Sequence, residues 1–329
     1  MQAIVFANRC GKELSPLNEF YCPAMLPILG KPVLEHCMDE LKLNKVKEVF
    51  LVISSSQKAI KDYFQQGLRW SLTIHYIICE NSDTPNKIKE KLAPTLKLPY
   101  YVARGDIVRG TYDWNLPNER ESTAYVNLLN KPLGLIKVND KSCSIDCIDW
   151  PLKKPEKIDV VQINCPLKNY LIHTLSSYHQ LVLTEANHPQ TFIASGIEQS
   201  LNLITGKRSL IQSNSLSNGK TYIGDHSYVD KSAKLYGQTS IGHECIVDRG
   251  VKVSNSIILD DTYIGAEVEI KNAIVCQNKI IRIDLATCLT VSSTYTISKN
   301  KANKESNLSI FNLYNIALRV LRSSRLSCS

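Results

Sequence analysis

Between Ile223 and Val275 the chain repeats itself every six residues, and this period restricts its architecture more than any other feature. Aliphatic residues stand at Ile223, Val229, Leu235, Ile241, Val247, Val253 and Leu259, and after one five-residue step the series resumes at Ile264 and Ile270. Four positions after each of the first six comes a small or β-branched residue: Ser227, Ala233, Thr239, Cys245, Val251 and Ile257. A helix repeats about every 3.6 residues and a strand every second one, so neither keeps this register. A hexapeptide solenoid does, because each six residues form one side of a triangular coil and the aliphatic side chains stack inside it. Gly224, Gly242 and Gly265 directly follow aliphatic positions, where a corner needs a small residue. The stretch is long enough for about three coils, the minimum for a shared core.

The N-terminal half follows another rhythm. Gln2–Ala7 reads as a buried strand, and a helix is expected from Pro32 to Leu43 with proline at its first position. Strand Glu48–Ser54, helix Gln57–Gln66 and strands Leu72–Ile78 and Pro99–Ala103 continue the pattern. Strands alternating with helices predict an α/β domain, a parallel sheet covered on both faces. Ligands of such sheets bind beyond the carboxyl ends of the strands, so the loops after Ala7 and Ala103 are the expected site.

Those loops carry a resemblance. Gly11, Leu14, Pro16 and Leu17 are similar to the end of the glycine-rich G-x-G-T-R-L-x-P-L loop of the sugar-1-phosphate nucleotidyltransferases, the sugar-nucleotide pyrophosphorylases. The run Met25-Leu26-Pro27-Ile28-Leu29-Gly30-Lys31-Pro32 matches that family's M-L-P-I-x-G-K-P turn, and Gly105-Asp106 resembles its G-D pair. A hexapeptide solenoid at the C-terminal end is also typical of the family. The resemblance implies a Rossmann-like nucleotidyltransferase domain followed by a left-handed parallel β-helix. It implies Asp106 as catalytic residue and ligand of Mg2+, if the protein is active. It also implies that Ala7, Asn8, Gly11 and Lys12 bind the nucleotide. The family reaction joins a sugar-1-phosphate to a nucleoside triphosphate and releases pyrophosphate, by positioning and charge neutralisation.

The sequence departs from that pattern where charge matters most. Arg9 replaces the first loop glycine, Glu13 stands at the family arginine, and Pro23 stands at a family lysine. Nothing around Glu80–Thr84 corresponds to the loop that reads the base. Reversing a charge about 4 Å from a phosphate changes the interaction by several kcal/mol at an effective dielectric near 20. The expected function is therefore a divergent nucleotidyltransferase-like protein of nucleotide-sugar and polysaccharide biosynthesis. Its pyrophosphorylase activity is expected to be weakened or lost, with binding of a nucleotide, nucleotide-sugar or enzyme partner kept. Two alternatives stay open: an active, mannose-1-phosphate guanylyltransferase-like enzyme, and a hexapeptide acyltransferase using His226 or His243 as base. Both histidines take outward positions of the repeat, where a solvated surface role is expected, as it is for Lys31.

Composition narrows the classes. The net charge of +8 is spread along the chain, with concentrations at Lys87 to Lys97 and at Arg319, Arg322 and Arg325. No dense basic block with interleaved aromatics exists, which argues against nucleic-acid binding. The eleven cysteines are scattered, and Cys143 and Cys147 have no second pair to complete a zinc site. They read as reduced thiols. No apolar run approaches the roughly 18 residues of a membrane span, and no leader is evident, so a cytoplasmic location is expected. Residues 1–215 are assigned to the nucleotidyltransferase-like domain, 216–290 to the β-helix, and 291–329 to a polar linker and an amphipathic helix near Leu308–Leu326. That helix is expected to pack on the solenoid or a second subunit, with peripheral membrane contact as the sharper alternative. The β-helix itself offers a surface for homo-oligomers or an enzyme partner.

Overall fold

The first strand carries no polar residue beyond Gln2 because both its faces are covered. In β1 (Gln2–Phe6), Ala3 and Val5 pack on one side of the sheet and Ile4 and Phe6 on the other, as alternating side chains require. The computed structural model describes residues 1–80, 82–110, 121–156, 158–163, 165, 170–185, 194–211, 216 and 219–300. The chain divides into two compact units, residues 1–196 and 197–329.

In the first unit a short antiparallel hairpin, β2 (Pro27–Ile28) with β3 (Lys31–Pro32), leads into α1 (Val33–Leu43). Pro32 caps this helix rather than opening it. There follow β4 (Glu48–Ser54), α2 (Lys58–Phe64), β5 (Thr73–Cys79), α3 (Pro85–Leu92) and β6 (Tyr100–Arg104). The remainder is β7 (Thr123–Val126), β8 (Pro132–Val138), β9 (Asp159–Gln162) and α4 (Leu175–Gln180). The seven strands are ordered β5-β4-β1-β6-β8-β7-β9. Leu34, Met38, Leu41, Ile60 and Phe64 cover one face, and Ile88 and Leu92 cover the other.

The sheet is mixed, where a parallel one was expected. β5, β4, β1 and β6 run parallel, but β8 is antiparallel to both β6 and β7. For β7 and β8 the cause is local: residues 127–131 form a tight turn, and strands joined so closely can only pair antiparallel.

On α1, His36 Nε2 lies 3.0 Å from the Ile28 carbonyl oxygen and donates to it. Burial pushes the imidazole down to about 4, against the raising effect of that bond and with help from Lys31. The unfolded chain takes up this proton near the ordinary value of 6.5, the folded one only near 4, so stability falls as pH drops through that window. Chemical denaturation should register a loss of about 1–3 kcal/mol between those limits. His36→Gln should flatten this slope; an unaltered slope in the variant would remove His36 as its source.

The second unit begins with β10 (Ile197–Ser200) antiparallel to β11 (Leu203–Thr205). Then come β12 (Thr221–Ile223), β13 (Tyr228–Val229), β14 (Lys234–Ile241), β15 (Ile246–Val247), β16 (Lys252–Ile258), β17 (Thr262–Ile264), β18 (Glu269–Lys271) and β19 (Ala273–Cys276). β20 (Lys279–Arg282) and β21 (Thr287–Thr290) form an antiparallel extension, and β22 (Ile297–Lys299) pairs antiparallel with β17. Between β11 and β19 the pairing is parallel, and its first strands keep a constant offset. Leu203 pairs with Thr221, Thr221 with Thr239, and Tyr228 with Ile246, each eighteen residues on. This parallel pairing begins at β11.

The offset then shortens to seventeen, as in Val247 with Ile264 and Val253 with Ile270. Tyr236 still pairs with Ser254 but Thr239 pairs with Ser256, so one residue drops out between them. There the Asn255 side chain accepts from the Gln238 backbone N–H at 3.1 Å. The interior stack thus runs through Ile258, and Leu259, although buried, lies outside it. The hexapeptide pattern placed the short step after Leu259 because Ile257, Ile258 and Leu259 are all aliphatic and only pairing distinguishes them. The remaining aliphatic positions join the stack, and the small or β-branched positions from Ser227 to Ile257 are buried.

One corner is fixed by backbone proximity. A Cβ on Gly224 would lie 2.5 Å from the Gly242 carbonyl carbon. Side-chain acceptors cap the same corner: Asp225 takes the Lys207 N–H at 2.7 Å, His243 Nδ1 takes the Asp225 N–H at 2.8 Å, and Asp260 takes the His243 N–H at 2.8 Å. Among the described residues no helix is long and apolar enough to cross a membrane. The amphipathic segment Leu308–Leu326, with its three arginines, lies outside the described residues.

Candidate functional site

The loop leaving β1 is held by its backbone. The Ala7 N–H donates to the Val52 carbonyl at 2.8 Å, and buried Gln57 donates its Nε2 to the Arg9 carbonyl at 3.0 Å. Gly11 has φ 72°, a left-handed conformation, and a Cβ there would sit 2.6 Å from Pro23 Cγ. The turn therefore requires glycine twice over, for its dihedral and for its contact. Pro23, at the position of the family lysine, is packing against this glycine. Leu14 and Leu17 anchor the far side of the loop in the core.

The second loop begins where Gly105 N–H donates to the Phe6 carbonyl at 2.8 Å, bringing the ends of β1 and β6 together. Here the structure sets Asp106 against two arginines. Asp106 is fully buried, and Arg104 grips it with both arms, Nε to Oδ1 and Nη2 to Oδ2, each at 2.8 Å. Arg104 ends β6 and Asp106 lies in the turn that follows, so the fork closes between residues two apart in the chain. Arg9 Nε lies 3.1 Å from Asp106 Oδ2, and Glu13 Oε1 lies 3.4 Å from the same Arg9 nitrogen. Arg9 Nη2 donates to the Ile172 carbonyl at 2.7 Å, and its guanidinium stacks 3.9 Å over the Trp150 ring. Burial alone would raise the Asp106 carboxyl; Arg104 and Arg9 outweigh it and hold the group below the usual carboxylate range.

Three polar atoms at this spot are buried with no hydrogen-bond partner among the described residues: Arg9 Nε, which is within ion-pair distance of Asp106, Arg9 Nη1 and Asn8 Oδ1. Arg9 as a whole is only 7% exposed. Unsatisfied buried donors are uncommon and call for a reason. Of the expected nucleotide-binding residues, Ala7 and Gly11 are buried in the loop, Asn8 is half-buried and Lys12 is exposed. Lys31, expected in solvent, instead pairs with Asp39 at 2.7 Å.

As they stand, these residues do not fit a magnesium ion. Both oxygens of Asp106 already accept from Arg104. Among the described residues no three His, Cys, Asp or Glu side chains gather to hold a metal. A divalent ion about 4 Å from a guanidinium meets a repulsion on the order of 8 kcal/mol at an effective dielectric near 20. Two guanidinium groups stand here against one fully buried carboxylate.

Sequence reading missed Arg104, Gln57, Trp150 and Arg109. Arg109 is buried beneath the site, forked onto Glu40 with its Nη2 2.8 Å from Oε2, and its Nη1 donates to the Arg104 carbonyl at 3.1 Å. The only sequence signal was an arginine two residues before Asp106, at the end of an otherwise apolar strand. The two histidines of the repeat are kept apart from this chemistry by their roles: His226 is exposed, and His243 Nδ1 is an acceptor in the corner capping described above.

Comparison with known proteins adds to this geometry. Residues 2–103 match a nucleotidyl transferase family model, and residues 217–299 match a GMPPB C-terminal domain model. The chain is 24% identical over 155 residues to the bifunctional protein GlmU of Methanococcus maripaludis, covering 47% of this chain and 36% of that protein. It is 34% identical over 106 residues to the D-glycero-alpha-D-manno-heptose 1-phosphate guanylyltransferase of Campylobacter jejuni, covering 32% of this chain and 48% of that one. With the UTP--glucose-1-phosphate uridylyltransferase of a Synechocystis species it shares 29% identity over 76 residues, 23% of this chain and 20% of the other. The matched stretches thus span less than half the length of each relative.

Proposed function

Because the chain belongs to the sugar-1-phosphate nucleotidyltransferase family, we propose that it binds a nucleotide or nucleotide-sugar at the Ala7–Glu13 loop while its pyrophosphorylase activity is weakened or lost. Glu13 carries this proposal. Its carboxylate lies 3.4 Å from the Arg9 guanidinium, so the loop spends positive charge on itself where the family chemistry needs it for the departing pyrophosphate. With Pro23 packed on Gly11, the lysine position offers no replacement.

The parallel offset of eighteen residues supports reading the second unit as a left-handed parallel β-helix built on hexapeptides. In this view it serves as scaffold and as a surface for a second copy or an enzyme partner. Since nucleoside phosphates are the proposed ligands, the protein would act in the cytoplasm, in nucleotide-sugar and polysaccharide synthesis.

Thermal denaturation of the full chain with nucleoside triphosphates, sugar-1-phosphates and nucleotide-sugars tests the reading. Guanine and uridine nucleotides come first, since two of the relatives are a guanylyltransferase and a uridylyltransferase. A ligand at a hundred times its Kd should stabilise by about 2.7 kcal/mol. Pyrophosphate release with the same ligand should stay at background. Sustained release would identify an active enzyme and overturn the proposed loss; no shift with any nucleotide would remove the ligand.

A further inference from the structure

We infer that Arg9, set in place by Asp106 and Arg104, takes the part of the divalent cation of the family, so that this site takes the phosphates of its ligand on a guanidinium group and needs no metal ion. The inference rests on the ligand-binding reading above and sharpens it. In a metal-dependent site one carboxylate holds the ion and the ion holds the phosphate. Here the carboxylate of Asp106 holds two arginines instead, Arg104 by a two-armed grip at 2.8 Å and Arg9 at 3.1 Å. A guanidinium so fixed does the electrostatic part of an ion's task, and its planar fork suits phosphate oxygens.

The arrangement leaves Arg9 with something to give. Its Nη2 is used by the Ile172 carbonyl and its face by Trp150, but Nη1 is buried with no hydrogen-bond partner among the described residues. Carrying an unmet donor into the interior is unfavourable unless another group completes it. An anionic oxygen of a phosphate is that group. Glu13, the other carboxylate near Arg9, sits on the exposed side of the loop at 3.4 Å and is the one an incoming phosphate would displace. Arg104 has both its Nε and Nη2 committed to Asp106 and therefore acts as the positioning residue.

The test uses the full-length protein with inorganic pyrophosphate as probe, by calorimetric titration and thermal denaturation, once with EDTA and once with magnesium chloride. Pyrophosphate should bind equally well in both, and magnesium alone should leave the melting temperature unchanged. Arg9→Gln should weaken pyrophosphate by about tenfold to a hundredfold, the size expected when one charge-assisted contact is lost. Arg9→Lys, which keeps the charge but not the fork, should recover part of that loss. If Arg9→Gln does not fold, the comparison between EDTA and magnesium in the unaltered protein still decides the matter. Binding that appears only with magnesium would overturn the inference while leaving the ligand-binding reading intact. Absence of pyrophosphate binding in both buffers would also overturn it. The nucleotide screen then shows separately whether the broader reading falls with it.

Discussion

Glu40→Gln should destabilise the N-terminal unit by about 3–5 kcal/mol, the range for removing one partner of a buried ion pair. Arg109 and Glu40 are both buried, with Arg109 Nε 3.0 Å from each carboxylate oxygen and Nη2 2.8 Å from Oε2. Arg109 Nη1 also faces the carbonyls of Arg104, Leu133 and Gly134, so its charge is anchored from several sides. The glutamine would keep the shape and remove the countercharge, leaving a guanidinium in the interior that those carbonyls only partly neutralise. Urea denaturation of the full chain measures the loss. A change below about 1 kcal/mol would mean that water or rearrangement compensates Arg109. The double variant Glu40→Leu with Arg109→Met should be more stable than Glu40→Gln alone, because no unpaired charge is left behind. Since Arg109 also holds the Arg104 carbonyl, the single variant should weaken ligand binding even under conditions where it remains folded.

Val247→Asp should have an effect at least as large on the C-terminal unit, on the order of 4–5 kcal/mol or more. Val247 is fully buried in the interior stack, on a strand paired on both sides by Tyr228–Val229 and Thr262–Ile264. A carboxylate there has no partner and cannot reach solvent without parting two coils. On the proposed β-helix reading, successive repeats support only their neighbours, so a break in the middle separates the stack into pieces too short to bury a core. Limited proteolysis and circular dichroism should show loss of the sheet signal of this unit, whereas Val247→Ile should fold normally. A soluble Asp variant with an unchanged melting curve would mean that the stack is not the source of stability inferred for it.

The two units were legible in the sequence to different degrees, for a physical reason. The C-terminal unit announces itself because its sequence repeats the same demand, an aliphatic residue inward at each sixth position, and Ile223 through Val253 meet it without a slip. The one error fell at Ile257–Leu259, where three adjacent aliphatic residues left the phase undetermined. The α/β unit gave its strands β1 and β4 and helix α1 through apolar runs and a proline. Its antiparallel hairpin of β7 and β8 depended on a turn at residues 127–131 that carries no glycine signal. At the candidate site, motif spacing pointed to the loops after β1 and β6, where Gly11 and Asp106 stand. What it could not supply was the partner of Asp106. Arg104 came at the end of an apolar strand, and Arg9 was visible only as a glycine replaced. Trp150 and Gln57 reach the loop from distant positions in the chain, and no local pattern reports such contacts.

The single dropped residue in the parallel pairing of β14 with β16 has a consequence for how this unit can change over time. At one corner the backbones of successive coils touch, with glycine over glycine at Gly224 and Gly242, and each turn is capped by a side chain of the next. A length change there would have to be matched by its neighbours at once. At the corner by Asn255 a whole residue is missing, and the two coils still pair on either side of the gap, bridged by one amide. On the proposed β-helix reading, insertions and deletions of single residues are therefore admissible near Asn255, while the turn at Gly224 and Gly242 can change length only by complete repeats.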